Sequence, residues 1–373
     1  MTAHLDPETR ALLGDGLRRI GVEHGFESRR RQKQADGHAL WRALGDLGVT
    51  ALGLPTSVGG LDAGITDQDL VMSAIGRDLL IAPFLSTSVL CAPLLTACAT
   101  HEQTARWLEA DGRSAMLALA HAEPQLGYAR FPVATQAIAA EGAFVLSGTK
   151  QAVLDAPFAD TLLVTATLPD GMLGLFALKA GSSGLSLDAY HTLDGQPAGH
   201  VTLDKARAEL VSAGDVSALL EDALDRAVIA TCAEALGAME AVVALCHSYL
   251  KTRRAFGRNL SQFQVLQHRF VDLHIALEET RAIVDTAEAA HDSGAPDRAA
   301  VAVACKITTG RNGRLIAEQG VHLHGGIGMT DDFIISHYFK RLMMTEARFG
   351  GVAHHLDRYV ALVEPAPASE AAA

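Results

Sequence analysis

The stretch Lys251-Thr-Arg-Arg-Ala-Phe-Gly-Arg-Asn-Leu-Ser-Gln-Phe-Gln-Val-Leu-Gln-His268 says most about the fold, because it joins two long periodic segments. Apolar residues recur at helical spacing both before it, over Ala218 to Leu250, and after it, over Phe263 to Asp292. We expect the first helix to end at Phe256-Gly257, where glycine is a common stop, and the second to begin near Ser261.

Three arginines and two glutamines crowd this corner: Arg253, Arg254, Arg258, Gln264 and Gln267. Guanidinium groups bind phosphate oxygens in pairs, and the free amides at a helix N-terminus attract anions. The corner therefore suits a pyrophosphate. The alternative is a solvated basic helix end that complements the helix dipole.

A second stretch, Val321-His-Leu-His-Gly-Gly-Ile-Gly-Met-Thr330, places three glycines within four residues at the end of another predicted helix. Glycine lets backbone amides come close to a ligand. Taken alone, such a cluster is equally typical of a tight turn.

The chain divides by pattern into three parts and predicts an α+β fold. Residues 1–112 read as helix and 113–213 as short strands, with a turn at Pro169-Asp-Gly171 between two of them. Residues 214–363 predict a four-helix bundle. Its helices cover Ala218 to Leu250, Phe263 to Asp292, Arg298 to Leu323, and Ile335 to Leu362. The tail 364–373 is rich in proline, alanine and glutamate and is predicted to be disordered.

Composition argues against several classes of protein. The net charge of −12 argues against a nucleic-acid partner. Five cysteines without a C-x-x-C pair indicate reduced thiols in a cytoplasmic protein. The apolar run Leu79 to Leu85 is interrupted by proline and is too short for a membrane span. The four histidines nearest the glycine-rich turns lack metal-ligand spacing, so we expect no metal site; they are His322, His324, His354 and His355.

The two stretches together resemble the acyl-CoA dehydrogenase family. Its Arg-x-x-Phe-Gly-x-x-x-x-x-Phe-Gln element is matched by Arg253, Phe256, Gly257, Phe263 and Gln264, and its Gly-Gly-x-Gly element by Gly325, Gly326 and Gly328. The segment Gly48 to Leu61 and Glu123-Pro124 with Gly127 are similar to further family segments.

The resemblance implies an N-terminal helical domain, a middle β-barrel domain and a C-terminal four-helix bundle. It also implies an FAD held between subunits. Residues matching Arg253, Phe256, Gln264, Gly325 and Gly326 would reach the ADP half of a flavin bound mainly by the neighbouring subunit.

The catalytic base of the family has no counterpart here. Family members remove the α-proton of an acyl-CoA with a glutamate, and Gly350 stands at its usual position. Ala227 stands at the alternative position on an earlier helix. The nearest carboxylates are Asp225, Glu234 and Glu346. Glu346, one helical turn before Gly350, is a candidate base, although a solvated helix-face glutamate is the other interpretation.

The flavin's own pocket also departs from the family pattern. Tyr128 and Ala129 replace a serine and an aspartate, and Ala152-Val-Leu154 replaces the Trp-Ile-Thr that packs on the flavin ring. The residues that reach a neighbour's flavin are kept. This asymmetry predicts a heteromer in which the chain completes a partner's FAD site.

The runs His337 to Arg341 and Phe349 to His355 look like the smaller subunits of two-gene acyl-CoA dehydrogenases, such as pimeloyl-CoA or steroid side-chain types. We therefore expect a non-catalytic subunit of an α2β2 heterotetramer with two FAD, acting on a bulky acyl-CoA and passing electrons to an electron-transfer flavoprotein. The alternatives are a homotetramer that uses Glu346 as base, a flavin-free structural subunit, and a related flavin monooxygenase.

Overall fold

The structure is a computed structural model that describes residues 4–32, 37–110, 113–140, 142–212 and 214–364. The chain forms two compact units. Of the described residues, the barrel unit contains those within 4–72 and 80–227, and the bundle unit contains those within 73–79 and 228–364. This division differs from the three segments predicted above, whose boundaries remain predictions. Apart from Glu364, the predicted disordered tail lies outside the described residues.

The barrel unit begins with helices. Asp6 accepts a hydrogen bond from the amide of Thr9 and so caps the first helix, whose buried face carries Leu13, Leu17 and Ile20. Thr100 and Gln103 form a reciprocal capping box at the last one. The helices are α1 (Pro7–His24), α2 (Phe26–Gln32), α3 (Gly37–Asp46), α4 (Ile65–Arg77), a π-helix (Leu85–Cys91), α5 (Ala92–Cys98) and α6 (His101–Leu108), with 3-10 turns at Val49–Ala51 and Thr56–Val58. The last residues of α4, from 73 onward, belong to the bundle unit.

Nine strands follow: β1 (Glu109–Ala110), β2 (Arg113–Ser114), β3 (Leu117–Ala120), β4 (Gln136–Ala140), β5 (Ala143–Leu154), β6 (Thr161–Thr167), β7 (Leu173–Lys179), β8 (Leu185–His191) and β9 (Pro197–Leu210). Strands β6, β4, β5, β9 and β7 pair in that order, and β7 pairs with β6 again, so the sheet closes into a barrel. Strand β3 adds to β6 in parallel, and β8 adds to β9 antiparallel. The predicted turn between β6 and β7 is present, with Gly171 at a φ of 86°.

The bundle unit is helical. Its elements are α7 (Ser217–Thr252), which begins in the barrel unit, a hairpin of β10 (Arg254–Ala255) and β11 (Arg258–Asn259), a 3-10 turn (Leu260–Gln262), α8 (Gln264–Asp292), α9 (Arg298–His324), a second 3-10 turn (Gly325–Met329), α10 (Ile335–Ala347) and α11 (Val352–Val363). Gly237 on α7 lets the helix approach the end of α4 closely, because a Cβ there would overlap the carbonyl oxygen of Ser73.

Helix α7 is the one helix in the described part of the chain that is long and apolar enough to cross a membrane. Of its most apolar 18-residue window, 78% is buried inside the fold, as in the core helix of a bundle.

Two predicted helix boundaries are wrong. Helix α7 ends at Thr252 rather than at Phe256-Gly257, because a tight hairpin occupies the next residues, and α8 begins at Gln264 rather than near Ser261. The predicted fourth helix is two helices. Phe349 and Gly350 have left-handed backbones, with φ of 57° and 105°, and a right-handed helix cannot pass through them.

Candidate functional site

The hairpin that follows α7 builds the corner that carries Arg253, Arg254, Arg258, Gln264 and Gln267, which we call the arginine corner. The amide of Leu260 donates to the carbonyl oxygen of Arg253 at 2.9 Å, and the side chain of Asn259 donates to the carbonyl oxygen of Lys251 at 2.9 Å. These bonds fix where the chain leaves α7. The guanidinium of Arg253 is exposed, and the described residues provide it with no hydrogen bond or ion pair. It is therefore available to an anion.

Phe256 lies at the tip of this hairpin with 93% of its surface exposed and a left-handed φ of 50°. Its ring meets the edge of Phe263, with centroids 6.2 Å apart. The guanidinium of Arg258 lies 4.0 Å from the centre of the same Phe263 ring, a distance typical of a cation–π contact. The exposed ring is accessible to a ligand or another chain, although a single exposed apolar residue does not require one.

The N-terminus of α8 opens onto the same corner. Phe263 occupies the capping position and makes no side-chain capping bond, so the amides of Gln264 and Val265 have no partner of that kind. The side chain of Gln267 instead turns back to the carbonyl oxygen of Ser261 at 2.8 Å. An uncapped helix of 29 residues presents partial positive charge beside Arg253.

The glycine cluster belongs to this corner as well. Gly325 ends α9 with a φ of 65°, and a Cβ on Gly325 or Gly326 would meet no atom within 4 Å. The rings of His324 and Tyr249 lie with their centroids 4.4 Å apart and their planes tilted by 33°, and the Tyr249 hydroxyl donates to the His324 carbonyl oxygen at 3.3 Å. The end of α9 is thus joined to the end of α7. The structure brings together the two motifs that the sequence analysis selected.

A second place of interest is the break between α10 and α11, which we call the glycine corner (residues 348–351). The Nε2 of His355 donates to the carbonyl oxygen of Phe349 at 3.1 Å, since a carbonyl can only accept. Glu346 accepts a hydrogen bond at Oε1 from the amide of Val352 at 3.2 Å. The half-buried Glu346 therefore caps α11.

The other two carboxylates near the empty base positions are also engaged. Glu234 is fully buried and accepts from Arg341 at 2.9 Å and from Arg348 at 2.6 Å. In the barrel unit, Asp225 is paired with Arg130 at 2.6 Å. None of these partners was anticipated, because nothing in the local sequence indicates pairing over such separations.

The segment of the barrel unit that was compared with a flavin pocket contains a buried ion pair. Glu123 contacts Lys150 at 2.7 Å and also accepts from the amide and hydroxyl of Thr135. Burial alone would raise the pKa of Glu123, but the bonds from Lys150, Thr135 and Ala134 outweigh it and lower the pKa to about 2. Burial lowers the pKa of Lys150 to about 8, with Glu123 opposing the shift. The pair is buried inside the barrel unit and joins β5 to the segment that follows β3.

Of the residues that replace the flavin-contacting side chains, Tyr128 and Ala152 are exposed, whereas Val153 is buried. Tyr128 is half exposed, and Ala152 is exposed with a left-handed φ of 49°. The amide of Ala152 donates to Nδ1 of His200 at 3.4 Å. Ala152 has no ring to stand in for the tryptophan that packs on the flavin in the family.

No group of three His, Cys, Asp or Glu side chains within the described ranges is arranged to hold a metal. The histidines near the glycine-rich turns have other contacts: His322 meets Arg269 at 2.9 Å, and His324 bonds to the carbonyl oxygen of Gly320 at 2.8 Å.

A helical segment, a closed barrel and a helical bundle with an arginine corner define the class of fold, and comparison with known proteins gives the family. Residues 14–111 match the acyl-CoA dehydrogenase N-terminal domain, and residues 218–357 match the C-terminal domain. The acyl-CoA dehydrogenase FadE27 of Mycobacterium tuberculosis is 30% identical over 347 residues, which cover 90% of each chain. The chain therefore belongs to the acyl-CoA dehydrogenase family.

Two solved structures are also similar. A variant of the Tcur3481–Tcur3483 steroid ACAD superposes with a TM-score of 0.84 at 31% identity, covering 95% of this chain and 98% of that one. The ChsE4–ChsE5 complex from Mycobacterium tuberculosis superposes with a TM-score of 0.82 at 25% identity, covering 97% and 99%.

Proposed function

We propose that this chain is the non-catalytic subunit of a heteromeric, FAD-dependent acyl-CoA dehydrogenase. It supplies no base for proton abstraction, and it completes the FAD site of a partner subunit of the same family. The partner contributes the base and most of the acyl pocket, in an α2β2 assembly with two FAD.

One observation carries this proposal: no carboxylate is free to act as base at the positions where the family places one. Gly350 has no side chain, and Ala227 is a buried methyl group. Glu234 is held by two arginines, and Glu346 caps α11. A general base must reach the proton it removes, and these groups are already bonded elsewhere.

The arginine corner fits the anionic half of FAD. Arg253, Gln264 and the uncapped start of α8 offer donors and positive charge to a pyrophosphate, while Gly325 and Gly326 leave their side open to a ligand. The exposed ring of Phe256 offers an apolar contact. When bound, FAD would accept the hydride that leaves the β-carbon of the acyl group. The barrel unit, which has lost the aromatic and hydroxyl groups, does not offer the same support to the flavin ring.

The acyl group we propose is bulky, either a steroid side chain or a dicarboxylic chain. Support comes from the names of relatives: one similar structure is a steroid ACAD, and another is a complex of two named chains. An electron-transfer flavoprotein would take up the electrons from the flavin.

Purification tests the assignment. The chain should be expressed alone, and also together with a second acyl-CoA dehydrogenase homologue whose glutamate is intact, sought first in the adjacent gene. Expected results are a colourless, inactive protein in the first case and a yellow, active complex in the second. A yellow homo-oligomer that desaturates an acyl-CoA unaided would overturn the proposal in favour of an unconventional base. A co-purified complex whose flavin content is insensitive to Arg253→Ala would favour a purely structural subunit.

A further inference from the structure

The imidazole of His354 lies directly against Gly350. A Cβ on Gly350 would overlap the Cδ2 atom of His354 and would lie 3.1 Å from Cγ and 3.3 Å from Nε2. Gly350 is buried under this ring, and its φ of 105° suits only glycine. The space that a side chain at position 350 would need is therefore already filled.

The position of His354 is fixed by its neighbours on α11. Val352, at the start of this helix, donates its amide to Glu346. His355 is completely buried and bonds to the carbonyl oxygen of Phe349. With residues on both sides of it anchored to the glycine corner, His354 is carried over Gly350 by the backbone itself.

Helix α9 supports the corner from another side. A Cβ on Gly310 would lie 2.8 Å from Cγ2 of Val352 and 3.3 Å from Cγ of Glu346. Only a glycine lets α9 pack this closely against the first residue of α11 and the last turn of α10. The corner is therefore packed against backbone.

We propose that His354 closes this chain's own acyl position, so that an acyl-CoA binds only at the partner's centre. The proposal rests on the proposed function, which assigns Gly350 to the position of the missing base. The α-carbon of an acyl thioester must come within about 3 Å of that base. The imidazole occupies the place of that missing side chain, beside which the α-carbon would have to lie, and the chain has lost the room for an acyl group together with the carboxylate.

Binding stoichiometry tests this in the intact heteromer. The probes are S-octyl-CoA and S-(cholan-24-yl)-CoA, thioethers that lack the acidic α-proton of a thioester and cannot be desaturated. Calorimetric titration of the wild-type complex should give one equivalent per heterodimer. The His354→Ala complex should bind two. His191→Ala, at an exposed position on β8, is the matched control and should bind one.

Two equivalents in the wild type, one in His354→Ala, or no binding of either probe would each overturn the proposal. Flavin content and turnover of this chain alone report separately on the proposed function, so the two failures are distinguishable.

A stability measurement checks the contact itself. Gly350→Ala should lower the Tm of the complex, and the loss should be smaller when His354→Ala is also present. Strictly additive Tm shifts would mean that the ring does not fill the space over Gly350, and would also overturn the proposal.

Discussion

Arg348 donates a hydrogen bond from Nη1 to Oε2 of Glu234 at 2.6 Å, so the glycine corner is tied to the middle of α7 by a buried ion pair. Arg341 donates to the other oxygen of the same carboxylate at 2.9 Å. In most family members a glutamate near this corner does chemistry. Here the buried glutamate neutralises two arginines, and its role is to hold α7 and α10 together.

The ion pair gives a prediction about stability. Glu234→Gln keeps the shape of the side chain but leaves two buried guanidinium groups without a counter-charge. Removing one partner of a buried pair costs about 3–5 kcal/mol. Glu240→Gln is the matched control on the same helix, because Glu240 pairs with the partly exposed Arg281 at 2.7 Å and its loss should cost about 1 kcal/mol or less. Denaturant unfolding of both variants measures the difference, and equal losses would show that the Glu234 cluster is not buried as described.

The role of Glu346 is open to a direct test. As a cap of α11, it needs only an oxygen that accepts from the amide of Val352, and a glutamine supplies one. Glu346→Gln should therefore leave both the Tm and the turnover of the heteromer close to wild type, whereas Glu346→Ala should cost about 0.5–2 kcal/mol of stability. Loss of turnover in Glu346→Gln with flavin content unchanged would instead identify it as a base.

The sequence predicted the large elements because their periodicity is long and their breakers are strong. Helices α7, α8 and α9 and the turn at Gly171 follow from apolar spacing and glycine, and the motifs at Arg253 and Gly325 led to the corner that the structure assembles. The break at Gly350 was missed although a glycine pair marks it, because apolar residues continue at helical spacing on both sides.

Other features could not have been read from the sequence. Glu234 and its arginine partners are 107 and 114 positions apart, and only the packing of α7 against α10 and the glycine corner brings them together. The same holds for Arg130 with Asp225, and for the buried pair of Glu123 and Lys150. A charged residue on a helix or strand reads as solvent-facing until its neighbours are known.

Removing the guanidinium of Arg253 from the arginine corner should weaken the binding of FAD. Arg253→Ala in the co-purified heteromer removes a guanidinium that makes no other bond among the described residues. A hydrogen bond to a charged group is worth about 1.5–3 kcal/mol, so the dissociation constant for FAD should rise about 10- to 100-fold. Arg19→Ala, on the exposed face of α1, is the control and should leave it unchanged. Fluorescence titration of the deflavinated complex measures both, and unchanged affinity in Arg253→Ala would make the corner a plain helix end.

Two buried histidines predict how stability depends on pH. Burial is the main cause of both pKa shifts, and a nearby lysine adds to each. The pKa of His355 is lowered to about 3, with Lys306 contributing. The pKa of His121 is lowered to about 4, with Lys150 contributing. Both start from 6.5 in the unfolded chain, so below pH 6.5 the unfolded state binds more protons than the folded state. Stability should fall as the pH falls from 6.5 towards 4, by about 1.4 kcal/mol per pH unit for each group.

The variants that test this keep the hydrogen bonds and remove the titration. In His355→Gln the amide can replace Nε2 as donor to the carbonyl oxygen of Phe349, and in His121→Asn it can replace Nδ1 beside the Thr165 hydroxyl, 2.9 Å away in the wild type. Each should flatten the decline of unfolding free energy between pH 6.5 and 4 by about 1.4 kcal/mol per unit. His101→Gln, at an exposed position on α6, is the control and should follow the wild-type curve. If neither buried variant changes the slope, the two imidazoles are not held neutral by burial. The acid sensitivity must then come from carboxylates such as Glu123. Because the pKa of Glu123 is lowered, its contribution to stability is lost only as the pH falls from about 4.5 to about 2.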